Sequence, residues 1–176
     1  MFGEACFFQD KIYKGRLRMK KFLVTLFACF LALVPLLANA LEVGDEAPKF
    51  EAVSDKGPIS LQNYRGKKNV VLAFYFEDFS PVWKGELKAF QKDIKKFEGL
   101  NTQVLGVSYD SIETHQKFVE EYGITFPLIS DEDESVRKLY GKGRITFLID
   151  KKGIIQYIQK GVPKNRKFLK KIKKLD

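Results

Sequence analysis

The stretch "NVVLAFYFEDFSPVWKGELKAFQKDIKKFEG", Asn69 to Gly99, decides the fold. Its first residues, Asn69 to Phe76, form a continuous apolar and aromatic run of strand length, as a central strand covered on both faces requires. Ser80 and Pro81 then predict a helix start, with the serine hydroxyl as N-cap and proline at the first helical position. Trp83, Leu87, Phe90, Ile94 and Phe97 recur at spacings of four and three, which makes one apolar stripe, and Gly99 stops the helix. In such a strand–turn–helix the first helical turn is where many α/β proteins keep their reactive group. The residue found there is Trp83, which is neither nucleophile, acid nor base.

Outward from this unit the pattern continues. "TQVLGVSYD" (Thr102 to Asp110) predicts a second strand. "SIETHQKFVEEYG" predicts a helix with Phe118, Val119 and Tyr122 inside and Gly123 at its end. "FPLIS" reads as a short strand, and "DEDESVRKLYG" as a short helix opening with acids that suit its dipole. "ITFLIDKKGIIQYIQKG" predicts a hairpin turning at Lys151-Lys152-Gly153. The order strand–helix–strand–helix, hairpin, helix implies an α/β architecture, a central mixed sheet flanked by helices on both faces, in the order of a thioredoxin-like fold. The last helix, in "PKNRKFLKKIKKLD", puts Phe168, Leu169, Ile172 and Leu175 on one face and lysines on the other. It reads as docked on the sheet with a solvated basic face. Contact of residues 164–176 with anionic lipid or an acidic partner is the alternative.

The chain has 176 residues and a net charge of +9, long enough for one domain with a core of its own. Met19-Lys20-Lys21, the apolar run "FLVTLFACFLALVPLL" and "ANA" (Ala38 to Ala40) have the layout of a secretory signal peptide. The expected organisation is therefore 1–40 as an upstream extension plus signal peptide, with translation starting at Met19 and cleavage after Ala40, and 41–176 as the mature domain. An uncleaved membrane anchor is the alternative. Export implies a periplasmic or secreted protein, which makes nucleic acid an improbable partner. Cys6 and Cys29, with both methionines, precede Leu41, so the mature domain carries no thiol and no disulfide. No cofactor is expected. A metal site is not expected either, because His115 is the single histidine and is read as structural.

The motifs of the mature chain resemble those of the peroxiredoxins of the alkyl hydroperoxide reductase/thiol-specific antioxidant family, most of all the bacterioferritin comigratory protein type. "VGDEAPKFEAVSDKGPISLQNYRGKKNVVLAFYF" is similar to the family's opening, with G-x-x-A-P-x-F and Y-R-G-K. "VLGVSYDSIETHQKFVEEYGITFPLISD" is similar to its second strand, helix and third strand, and "YGKGRITFLIDKKGII" to its arginine-bearing hairpin. The resemblance places the family's P-x-x-x-[TS]-x-x-C segment on Phe76 to Trp83. Ser80 and Arg144 stand where the family has its hydroxyl and its arginine. Phe76 replaces the proline, Trp83 replaces the peroxidatic cysteine, and Glu86 follows three residues on. The position of a resolving cysteine is Lys88.

The family's chemistry is attack of a thiolate on a peroxide O–O bond, giving a sulfenic acid that another thiol reduces. The helix N-terminus and the arginine favour the thiolate, and hydroxyl and guanidinium stabilise charge as the bond breaks. Ser80 and Arg144 can do that holding, but indole supplies no electrons. The expectation is a filled site: Trp83 extends the core stripe of its helix, Phe76 thickens the same wall, and Arg144 pairs with Glu86 or Asp78. The two functional readings are a non-catalytic relative that binds a partner in an envelope redox or stress system, and a hydroperoxide-reducing enzyme if residue 83 is a misread cysteine or selenocysteine. The tryptophan codon differs by one base from those of cysteine and from UGA, so the codon discriminates the two.

Overall fold

The computed structural model describes residues 40–175. The basic start at Met19, the apolar run behind it, most of the cleavage signal and both cysteines lie outside the described residues. Among those described, no helix is long and apolar enough to cross a membrane.

Seven strands form one mixed sheet in the order β2-β1-β5-β4-β3-β6-β7. They are β1 (Glu51–Ser54), β2 (Gly57–Ser60), β3 (Asn69–Phe74), β4 (Thr102–Ser108), β5 (Leu128–Ser130), β6 (Ile145–Ile149) and β7 (Ile155–Lys160). The helices are α1 (Pro81–Glu98), α2 (Ile112–Tyr122), the single turn α3 (Arg137–Tyr140) and α4 (Asn165–Ile172). The expected thioredoxin-like α/β architecture is the one found. The sequence reading missed the hairpin of β1 and β2, whose alternation Glu51–Ser54 and Gly57–Ser60 is too short and polar to register as strand. It also overran β3 and β4, which end at Phe74 and Ser108.

Strand alternation distributes the core between two layers. Val70, Leu72 and Phe74 of β3 face one layer with Val136, Tyr140 and Phe147, and Val71, Ala73 and Tyr75 face the other with Leu87, Phe90, Ile94 and Phe97 of α1. Phe168 and Ile172 of α4 and Phe118 of α2 pack into that second layer. Fully buried phenylalanines of this kind each contribute about 2–3 kcal/mol of transfer free energy. Helix α1 ends at Gly99, which is itself right-handed, and the left-handed residue is Asn101 (φ 47°). Its side-chain amide donates to the Lys67 carbonyl at 2.6 Å and fixes the turn into β4. The acids of "DEDE" do not open a helix; buried Asp131 instead accepts the backbone N–H groups of Val136 (2.8 Å) and Arg137 (2.9 Å) and so seeds α3.

Sheet topology decides where the site lies. β3 and β4 run parallel, with Phe74 opposite Val107 at their carboxyl ends. β6 runs antiparallel to β3, with Thr146 opposite Ala73. Arg144, just before β6, therefore arrives at the end of β3 from which the chain leaves towards α1.

Candidate functional site

The connection from β3 to α1 is pinned by a buried carboxylate. Asp78 accepts the Tyr75 hydroxyl at 2.5 Å on Oδ1 and lies 2.6 Å from His115 Nδ1 on Oδ2. Its backbone N–H donates to Asp110 Oδ2 at 2.8 Å, and the Ser108 hydroxyl donates to the same oxygen at 2.9 Å. Tyr75, Asp78 and His115 are all buried. A carboxylate is tolerated there because each oxygen has a donor, which assigns a proton to His115 Nδ1. Burial, reinforced by the Asp78 charge, pushes the Tyr75 phenol well above its ordinary value. The oxygens of Asp78 and Asp110 and a ring nitrogen of His115 lie within 4.8 Å of one another. The sequence reading took His115 alone and found no metal-ligand set. The structure joins it to two carboxylates, and hydrogen bonds among these groups, Tyr75 and Ser108 account for the cluster.

Above this network the predicted residues meet. Phe76 and Trp83 have ring centroids 5.4 Å apart, and Phe76 continues to Tyr109 at 5.7 Å. Trp83 is half-buried and packs against the core layer that holds Leu87 and Phe90, so it stands in the apolar stripe of α1. The Arg144 guanidinium carbon sits 4.3 Å from the centroid of the indole. Its Nη2 forms an ion pair with Glu86 Oε1, one turn beyond Trp83. Desolvation in this position draws the Arg144 guanidinium below its ordinary value. Of the two acids expected for Arg144, Glu86 takes it and Asp78 does not. Ser80 occupies the N-cap position (φ −63°, ψ 132°) with Pro81 behind it, but its hydroxyl makes no cap hydrogen bond. Its carbonyl accepts the Lys84 N–H at 2.9 Å, the first bond of the helix ladder, and the side-chain cap expected of the hydroxyl is not formed.

One residue of this region escaped the sequence reading altogether. Arg137 is completely buried beneath the aromatic wall. Nη2 donates to the Tyr75 carbonyl at 2.7 Å and Nη1 to the Gly143 carbonyl at 3.1 Å. The guanidinium carbon lies 4.4 Å from the Tyr109 centroid and 5.4 Å from that of Phe76. Burial draws this guanidinium downward, opposed by Tyr109 and Asp131. The guanidinium thus ties the end of β3 to the loop carrying Arg144 and gives Phe76 a charged neighbour. Nothing in "SVRKLY" marks the arginine as internal, since a basic residue between Val136 and Tyr140 reads as surface.

The region is an alternation of rings and guanidinium groups: Tyr109, Arg137, Phe76, Trp83, Arg144, closed by Glu86. Among the described residues there is no thiol.

Comparison with known proteins agrees with this framework. The AhpC/TSA family profile matches residues 43–158. The chain is 41% identical over 134 residues to the chloroplastic 2-Cys peroxiredoxin BAS1 of Spinacia oleracea, covering 65% of this chain and 51% of that protein. It is 37% identical over 134 residues to the putative peroxiredoxin bcp of Coxiella burnetii, covering 68% and 88%. The chain thus spans about half the length of the chloroplastic 2-Cys relatives and most of the bacterial one. Among solved structures, reduced 2-Cys peroxiredoxin of Plasmodium vivax superposes with a TM-score of 0.70 at 31% identity, over 76% of this chain and 96% of that one. Peroxidoxin BcpB of Mycobacterium tuberculosis shares the fold, with a TM-score of 0.72 over 77% and 99%, at 24% identity. With a profile spanning strands β1 to β7, and with relatives of both the 2-Cys and the bacterioferritin comigratory type, the chain belongs to the AhpC/TSA family of peroxiredoxins.

Proposed function

We propose that this protein is an exported peroxiredoxin relative that has given up thiol peroxidase chemistry and uses its scaffold for binding. One observation carries the reading. Arg144, whose family role is to face a thiolate and a peroxide oxygen, lies against the Trp83 indole and is neutralised by Glu86. The resemblance puts the peroxidatic cysteine at residue 83, and Trp83 with Phe76 fills that place. Reduction of a peroxide needs two electrons, and no residue after Cys29 carries sulfur to donate them. Export rests on the signal-peptide layout of residues 19–40, with the domain beginning at Leu41. Binding is supported by the apolar rim of the region: Phe76, Phe79 and Val82 are 39%, 43% and 56% exposed. A partner protein in an envelope redox or stress system fits such a rim.

The test is peroxide consumption by residues 41–176 in the presence of dithiothreitol or a thioredoxin system. No turnover above buffer is expected, and measurable turnover sinks the reading. The competing reading, a thiol or selenol enzyme reducing hydroperoxides with a misread cysteine or selenocysteine at position 83, is decided by the codon and by the peptide mass of the natural protein. A UGG codon with the tryptophan mass removes it.

A further inference from the structure

Between Lys160 and Lys174 the chain carries seven lysines and one arginine and no acid. All eight are exposed. α4 turns Phe168 and Ile172 into the core, and its cations fan out on the two sides of that contact. Lys167, Lys170, Lys171 and Lys174 line a groove of about 390 Å³ against Tyr157, whose ring lies 5.0 Å from Lys171 Nζ. Arg166, Lys170 and Lys173 line a second groove of about 470 Å³ with Lys96 and Asp93. Asp93 is occupied by Lys96 at 2.7 Å and Asn165 at 3.1 Å.

Helix stability does not explain this pattern. Cations favour the last turn of a helix, and Lys170 and Lys171 stand there, but Lys164, Arg166 and Lys167 oppose the dipole at the first turn, where no acid is found. Lysines three and four apart also repel one another. The cations are exposed and spread over two open grooves that share Lys170, an extended array rather than one enclosed anion site. Lysine is a hydrated point charge, and seven lysines to one arginine suits diffuse attraction better than bidentate phosphate or base recognition. Val162, 55% exposed, adds an apolar side chain beside the array.

We infer that the α4 face is a docking surface for an anionic phospholipid bilayer, holding the domain against the membrane by its lysines. Charge complementarity identifies the occupant: a plane of many monovalent phosphates matches an extended array of separate ammonium groups. This occupant accords with the export proposed above, which would bring the chain to a membrane.

Residues 41–176 serve for the test, because Ala40–Asp176 form a compact unit of their own. Sedimentation with vesicles of phosphatidylglycerol and phosphatidylcholine is expected to retain the domain at low salt and release it as salt rises. Vesicles of phosphatidylcholine alone should not retain it. Replacing Lys167, Lys170 and Lys174 together by glutamine should weaken binding on the order of 100-fold, from roughly fivefold per lysine. A control with Lys67, Lys117 and Lys142 replaced by glutamine has the same net charge and should bind nearly as wild type. Far-UV circular dichroism establishes that both variants fold. Absence of binding to anionic vesicles overturns the inference, and so does equal weakening in the two triple variants. Preference for duplex DNA or soluble polyphosphate over vesicles at equal phosphate overturns it as well.

Discussion

Replacing Trp83 by cysteine probes the filled site most directly. The indole makes a tilted ring contact with Phe76 at 5.4 Å and lies under the Arg144 guanidinium at 4.3 Å. A ring pair of this kind contributes roughly 0.5–1.5 kcal/mol and a partly desolvated cation–π contact about 1 kcal/mol. Truncating a fully buried Trp costs roughly 3–5 kcal/mol, but Trp83 is only half-buried and water can enter the space it leaves. The three effects overlap, and the expected loss is about 2–3 kcal/mol. For a domain of this size that lowers the melting temperature by roughly 6–12 °C. The assay is urea unfolding of residues 41–176 followed by far-UV circular dichroism, since the substitution removes the chain's single tryptophan. A cycle with Arg144→Met isolates the cation–π part, which should appear as a coupling of about 0.5–1 kcal/mol. A loss below about 0.5 kcal/mol, or a coupling of zero, would refute the argument that Trp83 is a packed stopper rather than a surface ring. The same variant reports on the cradle. If Arg144 swings from Glu86 to the new sulfur, the thiol should react with an alkylating probe well below its ordinary pKa of about 8.5.

Two further predictions concern the support beneath the site. Adding a methyl group at Gly106 places Cβ 2.8 Å from Leu128 Cδ2 and 3.1 Å from Tyr75 Cε1, both fully packed. Gly106→Ala should therefore cost about 1–3 kcal/mol in urea unfolding, and unchanged stability would mean that the Tyr75 ring is not fixed as described. Alkaline titration tests the phenols, because Tyr75, Tyr140 and Tyr64 are all raised by burial. A tyrosine whose folded pKa lies above its unfolded value of about 10 adds stability that is complete below pH 10 and lost as the pH climbs past it. Absorbance at 295 nm should show these three ionising above pH 10, with Tyr75 and Tyr140 ionising only with unfolding. Ionisation of all of them in the folded protein would sink the prediction.

Much of this molecule is legible in its sequence because two periodicities carry most of the information. The apolar run of β3 and the stripe from Trp83 to Phe97 need no tertiary context, and they bring the site's address with them. Arg144 is placed by topology, since an antiparallel β6 must begin where β3 ends. What was not legible has no period. The pairing of Asp78 with His115 spans 37 residues and depends on α2 lying beside the β3–α1 connection. Arg137 looks like any surface base until its guanidinium is seen on the carbonyls of Tyr75 and Gly143. The capping role of Ser80 was over-read, because residue type sets the capacity for a side-chain cap and only the rotamer decides whether it forms.

The retained arginine and acid are poor witnesses for retained chemistry. By the family's chemistry the arginine turns its charge towards a thiolate and a peroxide oxygen. Here Arg144 pairs with Glu86, and the indole, which stands where the family has its cysteine, covers the guanidinium face. Removing Arg144 or Glu86 would leave a partly buried charge without its partner, which costs stability whatever the protein does. Asp78 is bound in the same way to Tyr75 and His115, and Arg137 to the strand ends. Selection for a stable fold alone would keep each of these residues. Their presence therefore carries no weight for turnover, and under the binding function proposed above the surfaces to test are the aromatic rim above Trp83 and the lysine face of α4.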